Sequence, residues 1–305
     1  MAAGVAIQTA SSFLPLLQKN LADLALGQYY EKQEWKQVFK EESFDTSFSK
    51  RFQISRRIIP LGPMAQWATL ASRDPDNYKM GPAKQLNINR YGMQVAFDRD
   101  VVMDKMYDVT TSVAKDSGYS ANLTIEFDAA TLLDNATATT YYTSGEGEAL
   151  VSDSHAVYGE GATSADNKIA GALSYSAVQD GMVLASQMVN DRGYPLPQVP
   201  TRLLVPTVLM NTAKVIVKTP YKPGTDANDI STVFNELTYD INHYMTQSTY
   251  WFLVCDKHDV HLKFREQFNT DTWQDPNTGT LFYLAQQRYL TGFNDWRGWY
   301  GSVGS

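Results

Sequence analysis

The feature that most constrains this chain is a long helical pattern between residues 101 and 133. An apolar stripe at spacings of four, three and four runs through its first half: Val102, Met106, Val109 and Val113. Gly118 weakens the pattern by about 1 kcal/mol relative to Ala, and no proline interrupts it. An unbroken helix would span about 50 Å at 1.5 Å per residue. Few compact enzymes need such a rod, whereas extended structural subunits often contain one.

Two strand patterns precede the helix and are separated by a long linker. Residues 52–60 alternate as one strand, and residues 84–98 predict the returning strand, with a bulge at Tyr91-Gly92 where the side-chain parity changes. A linker of about 24 residues is too long for a compact domain unless it has a function. It carries four large apolar side chains among Pro and Gly: Leu61, Met64, Trp67 and Leu70.

A two-stranded ribbon is marginal in water by itself, and apolar groups exposed on it are typical of a binding surface. Residues 51–98 therefore predict an extended hairpin that packs on another protein, here another copy of the chain. The alternative, in which the tip folds back over its own core, stays open.

The first fifty residues predict an arm. Ser11-Ser12 can cap a helix that continues through Leu24 and ends at Gly27. No basic region precedes it, so it is not a secretory signal peptide. Aromatic residues among charges follow: Tyr29, Tyr30, Trp35, Phe39, Phe44 and Phe48. This segment packs either on its own domain or on a neighbouring subunit, and the sequence favours neither.

Helices and strands mix in the remainder of the chain without a βαβ repeat, so the predicted fold class is α+β. A helix is predicted from Ser174 or Ser176 and another from Pro206, and Asp275-Pro-Asn-Thr-Gly279 is a strong turn signal. Strands are predicted at residues 202–205, 233–241, 249–255, 260–265 and 281–289.

Composition narrows the function classes. The 305 residues carry a net charge of −7, which argues against binding nucleic acid through a basic face. A single cysteine, Cys255, excludes an intrachain disulfide and predicts buried packing. The longest apolar run, residues 250–255, is too short to span a membrane as a helix. Aromatic residues reach 12% while charged residues are only 19%, which indicates surplus apolar surface for partners.

No residue set predicts an active site. Ser152-Asp-Ser-His155 places hydroxyls beside an imidazole, but catalytic triads are assembled in space and not along one loop. His258 and His261 lie in a strand–turn–strand context, which favours surface histidines over a shared metal ion. We therefore predict no catalytic, cofactor-binding or metal-binding residues. The alternative is a hydrolase that uses Ser154 and His155, or a metal held by the other two histidines.

A series of short motifs runs from Ala149 to the end of the chain. They are Leu150-Val-Ser152, Ser154-His155, Leu173-Ser174, Gly193-Tyr-Pro195-Leu196, Pro200, Leu203-Leu-Val-Pro206, Leu209, Ala213, Pro223-Gly-Thr225, Asn228-Asp-Ile230, Trp251-Phe-Leu253, Arg288, Gly292, Asp295-Trp-Arg-Gly298 and Tyr300-Gly301. In order and spacing they resemble the major head subunit of Mu-like tailed bacteriophages. Ala156 and Ser231 depart from the Pro and Asn that are usual in that family.

The resemblance implies the tailed-phage capsid fold named for phage Hong Kong ninety-seven. Its parts would be an N-terminal arm (1–50), an extended hairpin loop with flanking peripheral strands (51–98), the spine helix of the peripheral domain (99–145), an axial domain (146–280) and a C-terminal peripheral strand (281–305). The Tyr221–Ile230 loop would point toward the capsomer axis. The family is non-enzymatic and encloses double-stranded DNA, and the acidic balance fits a container that must release its genome.

The expected function is that of a major capsid protein that assembles itself into hexamers and pentamers of an icosahedral phage head. The runner-up within the fold is an encapsulin-like cellular nanocompartment. The expected inter-subunit contacts are Trp35, Leu61, Met64, Trp67, Leu70, Pro223, Asn228 and Asp229. Trp67→Ala is predicted to remove about 2–3 kcal/mol of docking energy per copy and to lower particle yield.

The expected partners are other copies of the chain, a portal and a separate scaffolding protein, with decoration proteins as further candidates. A separate scaffolding protein is expected because the arm begins directly at Met1. No cofactor, membrane or sequence-specific DNA contact is predicted. The expected location is the virion, after assembly in the host bacterial cytoplasm.

Overall fold

The computed structural model describes residues 10–44, 50–64, 66, 76, 78–98, 100, 107–140, 145–157, 164–222 and 229–304. The helices in these ranges are α1 (Ala10–Tyr29), α2 (Tyr107–Asp134), α3 (Tyr175–Ser186) and α4 (Met210–Lys218), with short 3-10 helices at Trp35–Gln37 and Thr207–Leu209. The strands are β1 (Lys40–Ser43), β2 (Phe52–Ile59), β3 (Lys79–Asn87), β4 (Asn89–Phe97), β5 (Pro200–Pro206), β6 (Thr238–Asn242), β7 (Trp251–Cys255), β8 (Val260–Gln274), β9 (Leu281–Phe293) and β10 (Trp299–Ser302). Within the described ranges no helix is long and apolar enough to cross a lipid bilayer.

The strands form two four-stranded sheets and one ribbon. The first sheet has the order β1-β8-β9-β4 and the second has the order β10-β7-β5-β6. Among the described residues, β2 pairs with β3 alone. The α+β class predicted from the sequence is therefore correct. The division expected at residue 280 does not follow the sheets, because β8 lies beside β9 in the first sheet and β10 lies beside β7 in the second.

The returning strand of the hairpin differs from the prediction. The strand that pairs with β2 is β3, and the chain then leaves the ribbon at Ile88 so that β4 can pair with β9 in the first sheet. A single returning strand over residues 84–98 is thus wrong. The bulge expected at Tyr91-Gly92 is wrong too, since both residues pair regularly with β9. The side-chain alternation changes there because the chain passes from the ribbon to the first sheet. The ribbon does contain a register shift, but it lies between Arg56 and Ile58.

Helix α1 packs along α2, which resolves the alternative left open for the arm. Leu21, Ala25 and Tyr29, one turn apart, are all buried. A Cβ atom at Gly118 of α2 would lie 2.0 Å from the carbonyl oxygen of Ala25, so only glycine permits this approach. Gly27 does not end the helix as expected, because α1 continues to Tyr29.

Helix α2 runs unbroken through Gly118 for 28 residues, about 42 Å at 1.5 Å per residue. Its buried face differs from the predicted stripe: Val109 is half-exposed, whereas Thr110 and Ala114 are buried. Val102 and Met106 lie outside the described residues. The apolar spacing correctly predicted a helix. It did not predict which face of the helix α1 and the first sheet cover.

Most of the tryptophans lie in the core of the subunit. Four of the six tryptophans are fully buried, namely Trp35, Trp251, Trp296 and Trp299. Trp35, expected to contact another subunit, is only 1% exposed, and its ring lies 6.0 Å from that of Phe264 on β8. That expectation is corrected: a side chain covered by its own subunit has no surface left for a neighbour.

The remaining elements follow the predicted order with shifted ends. Helix α3 begins after Ser174, whose side chain accepts a hydrogen bond from the backbone N–H of Ala177, as an N-cap does. Strand β6 is shorter than the predicted strand at 233–241, and β8 extends to Gln274, nine residues beyond the predicted end at Arg265. The turn signal at Asp275–Gly279 joins β8 to β9, with Gly279 at a φ of 75°.

Candidate functional site

The ribbon, defined as β2 and β3, carries several exposed apolar side chains. On β2, Ile54 and Ile58 are exposed, and Ile58 is 65% accessible beside its cross-strand partner Met80. Leu61 and Tyr78 continue the surface beyond the strands, and both are more than half exposed. These side chains lie on the face of the ribbon that the subunit leaves uncovered, whereas Ile59 and Leu86 are buried. They form a surface suited to another protein.

The charge of the ribbon is opposite to that of the whole chain. Its strands carry Arg56, Arg57, Lys79 and Lys84 and no acidic residue, although the chain has a net charge of −7. Lys84 is half-buried, with its ammonium 4.9 Å from the centre of the Phe293 ring, and burial lowers the pKa of Lys84 to about 8. The ribbon therefore combines apolar contact area with positive charge, a combination that complements an apolar surface with acidic side chains.

Four charged side chains join the ribbon, near its linker end, to the rest of the subunit. The Nη2 atom of Arg57 lies 2.8 Å from Oδ1 of Asp191, in the loop between α3 and β5, and Nη1 lies 3.2 Å from Oδ1 of Asp295, between β9 and β10. Arg297 donates to the same two oxygens, at 2.9 Å from Asp191 and 3.3 Å from Asp295. We call these four residues the anchor.

The anchor balances two positive charges with two negative charges in a mostly buried place. Asp191 is 2% exposed and Arg297 6%. Removing one member of such a network leaves a buried charge uncompensated, which is costly. The anchor therefore holds the linker end of the ribbon on its own subunit.

A second, more exposed clamp lies farther along the hairpin. The Nη1 and Nη2 atoms of Arg192 each donate to one carboxylate oxygen of Asp76 at 2.9 Å. Asp76 also accepts a hydrogen bond from the backbone N–H of Gly62 at 2.9 Å. Because this pair is solvent-accessible, it contributes less than the anchor. It joins both arms of the hairpin to the same loop that supplies Asp191.

The motif Asp295-Trp-Arg-Gly298 also reaches a third segment through Trp296. The ring of His155 stacks on Trp296 with centroids 4.0 Å apart and planes inclined by 7°. His155 Nδ1 lies 2.7 Å from Oε1 of Glu146, and Nε2 lies 3.1 Å from Oδ1 of Asn167. Two of the short motifs from the sequence thus meet here: the Ser-His pair and the motif at 295–298.

The hydrolase arrangement considered from the sequence is not formed. Nδ1 of His155 contacts Glu146, Nε2 contacts Asn167, and the ring is fully buried. Neither nitrogen is therefore placed to accept a proton from a serine hydroxyl. The hydroxyl of Ser154 hydrogen-bonds that of Ser152 at 3.2 Å. His155 therefore has a packing role in this loop.

The other residues considered for chemistry are also engaged in packing. His261 is 2% exposed, so its expected surface position is wrong, and its Nδ1 donates to the carbonyl of Asp259 at 2.9 Å. Burial lowers the pKa of His258 to about 4. In the described part of the chain no group of three metal-ligating side chains comes together. Cys255 is buried as predicted, and burial raises the pKa of its thiol to about 12.

The expected contact residues fall into three groups. Leu61 and Met64 are described and highly exposed, and Asp229 is exposed beside the isolated bridge between Tyr221 and Ile230. Trp35 is buried, as noted above. The rest lie outside the described residues: Trp67, Leu70, Pro223 and Asn228.

Sequence reasoning missed the anchor. Arg57 and Asp191 are 134 positions apart, and no local pattern links them. One sequence feature could have indicated it. Arg56 and Arg57 are adjacent on a strand, so their side chains point to opposite faces, and one of the two must face the subunit. The motif at 295–298 indicated a family resemblance but no contact with the ribbon.

Comparison with known proteins agrees with this architecture. A family model described as phage capsid protein matches residues 83–302, more than two thirds of the chain. No curated protein is significantly similar to the sequence.

Solved structures share the fold at low sequence identity. The capsid of Ralstonia phage GP4 is 9% identical with a TM-score of 0.55, over 87% of this chain and 86% of that one. The mature capsid of bacteriophage PhiM1 is 9% identical with a TM-score of 0.55, over 89% and 86%. A virus-like particle from Pyrococcus furiosus is 9% identical with a TM-score of 0.52, over 93% and 98%.

Proposed function

Because the chain belongs to the phage capsid protein family and is a shell subunit of a tailed-phage head, we propose that each copy binds a neighbouring copy through its ribbon. Copies joined in this way form hexamers and pentamers that close into an icosahedral head around double-stranded DNA. The observation that carries the proposal is the exposed apolar pair Ile58 and Met80 on the uncovered face of the ribbon.

The arrangement of charges supports docking between identical copies. A basic ribbon on an acidic subunit finds a complementary surface on every neighbour, and the anchor holds it at a fixed angle to its own subunit. Fixing the ribbon before docking lowers the entropy that would otherwise be lost on assembly. The acidic remainder of the chain limits attraction to the packaged DNA.

The wider assembly is proposed from the family. Growth of a closed head needs a portal at one vertex and an internal scaffold, so we assign these roles to separate proteins, with decoration proteins as optional outer partners. Assembly takes place in the cytoplasm of the host bacterium before DNA is packaged. An encapsulin-like compartment is the competing function, and particles that contain cargo protein instead of DNA would support it.

The docking proposal is tested by the double variant Ile58→Ser/Met80→Ser, in which both changes fall on exposed positions of the ribbon. Sedimentation should show a loss of large particles, while the thermal transition of the unassembled subunit stays unchanged. Val183→Ser, an exposed position on α3, is the matched control and should assemble normally. Normal assembly of the double variant would show that the ribbon is not the docking element.

A further inference from the structure

A cavity of about 150 Å³ lies between α2 and the first sheet, at the side of the sheet where β4 is the outer strand. Its walls include Tyr91 and Met93 on β4, Gln287 on β9, and Ser120 and Ala121 on α2. Met93 is 36% exposed, and Ser120 is partly exposed, so the cavity opens to solvent between β4 and α2. We call it the edge cavity. The described residues that line it include none from the ribbon or the anchor.

The walls of the edge cavity suit an aromatic ring. Every side chain that lines it is uncharged, and Phe268 and Ala285 add apolar surface to that of Met93. An apolar cavity of about this volume holds one benzene-sized molecule. A single ring from outside the subunit would therefore fill it.

Gln287 adds a hydrogen-bond acceptor to these walls. Its side chain is 2% exposed, and its Nε2 donates to the backbone carbonyl of Ala121 at 2.9 Å, which fixes the orientation of the amide. Its Oε1 is buried and has no hydrogen-bond partner among the described residues. Because a buried amide oxygen without a donor is costly, an occupant that brings an O–H or N–H group is favoured.

The uncovered face of the ribbon offers a side chain with this chemistry. The exposed apolar groups described above are Ile54, Ile58, Leu61, Tyr78 and Met80. Tyr78 alone among these five combines an aromatic ring with an O–H donor. Its side chain is 67% exposed just before β3, so the ring is available to another copy.

The charges of the two elements favour the same pairing. Helix α2, which forms one wall of the edge cavity, carries five acidic side chains and a single lysine. Asp108 and Asp116 are exposed on it. The strands of the ribbon carry basic side chains and no acidic one. Opposite charges therefore steer the ribbon of one copy toward α2 of another.

We propose that the edge cavity receives Tyr78 of a neighbouring copy, whose ring fills the cavity and whose hydroxyl donates to Oε1 of Gln287. The inference rests on the proposed docking of the ribbon, and it names the surface of the neighbour on which the ribbon docks. It explains why a buried acceptor and an exposed aromatic donor occur in one subunit: each is satisfied by the next copy.

Disulfide trapping tests the pairing directly. The single cysteine of the chain, Cys255, is buried, so an added cysteine reports on one position. Particles assembled from Tyr78→Cys subunits mixed with Ser120→Cys or Met93→Cys subunits, on the two sides of the opening, should yield on mild oxidation a linked dimer with one copy of each variant. Mass spectrometry of the linked peptides identifies it.

Ser112→Cys is the matched control for the trapping experiment. Ser112 is exposed on α2 and lies about 12 Å from Ser120 along the helix, too far for the same disulfide. It should give no dimer with Tyr78→Cys. Particles that form without a link at either side of the opening would overturn the inference, because Tyr78 would not be the occupant. The docking of the ribbon would still stand.

Removal of the hydroxyl gives a second readout without added cysteines. Tyr78→Phe keeps the ring but loses the donor, so subunit association should weaken about two- to tenfold in assembly measured against concentration. In a Gln287→Met background, which lacks the acceptor, the same change should have no further effect. Unaltered association of Tyr78→Phe, or an equal loss in both backgrounds, would refute the hydrogen bond to Gln287.

A variant that fills the edge cavity separates this inference from the docking of the ribbon. Ser120→Leu should reduce particle yield because it occupies the space of the ring, whereas Ser112→Leu makes the same change outside the cavity and should assemble normally. If Ser120→Leu also assembles normally while Ile58→Ser/Met80→Ser does not, the ribbon docks elsewhere and the inference is wrong. Normal assembly of the ribbon variant would instead refute the docking itself.

Discussion

Arg57 and Asp191 are joined by a 2.8 Å contact between a strand of the exposed ribbon and the loop before β5. Through Asp191 and Asp295 the same guanidinium is coupled to Arg297, in the motif that most resembles the phage head family. The ribbon, the loop after α3 and the connection between β9 and β10 are thus held by one charge-balanced group. The motif at 295–298 thereby has a physical role: it holds the ribbon on the body of its own subunit.

Arg57→Ala should destabilise the subunit by about 3 kcal/mol, because it leaves two carboxylates facing the single guanidinium of Arg297. Chemical denaturation of the unassembled protein measures this loss. Arg56→Ala is the matched control: its side chain is exposed, and its change should stay within about 0.5 kcal/mol. If Arg57→Ala also changed the free energy of unfolding by no more than about 0.5 kcal/mol, the anchor would contribute no stability.

Gly118→Ala should destabilise the protein by about 1–3 kcal/mol although alanine favours helix, because the new Cβ would meet the carbonyl oxygen of Ala25. Gly27→Ala makes the same chemical change in α1, where no atom lies within 4 Å of the new Cβ. It should be neutral or stabilising by up to about 1 kcal/mol. Thermal unfolding of both variants gives the comparison, and a Gly118→Ala protein as stable as Gly27→Ala would disprove the close crossing of α1 and α2.

His155→Ala should cost about 3 kcal/mol, since it removes one hydrogen-bond partner of the buried Glu146 side chain and the ring stacked on Trp296. Ser154→Ala should remain within about 0.5 kcal/mol, because this side chain is exposed. Denaturant titrations of the two variants test this asymmetry. Two near-neutral substitutions would contradict a packing role for the histidine.

The order of elements was predictable because each leaves a local pattern. The 3.6-residue period indicated α2, and alternation in β2 together with the long linker indicated the hairpin. Local alternation does not state which sheet a strand joins, so β3 and β4 were merged although the chain changes sheet at Ile88. Strand pairing is set by distant partners such as β9.

Burial was harder to predict than periodicity. Trp35 stands among charged residues and has the local appearance of an exposed side chain, yet β8 and the arm cover it. The anchor depends on contacts across more than a hundred positions, and the edge cavity exists only when α2 lies on the first sheet. These sites arise from tertiary packing, which no short window of sequence contains.

Electron microscopy of the purified protein at increasing concentration tests the central claim most directly. The account predicts five- and six-fold capsomers or closed isometric shells built from this chain, which the double variant Ile58→Ser/Met80→Ser should fail to form. A protein that stays monomeric at every concentration, or ribbon variants that build the same shells as the unmodified chain, would contradict it.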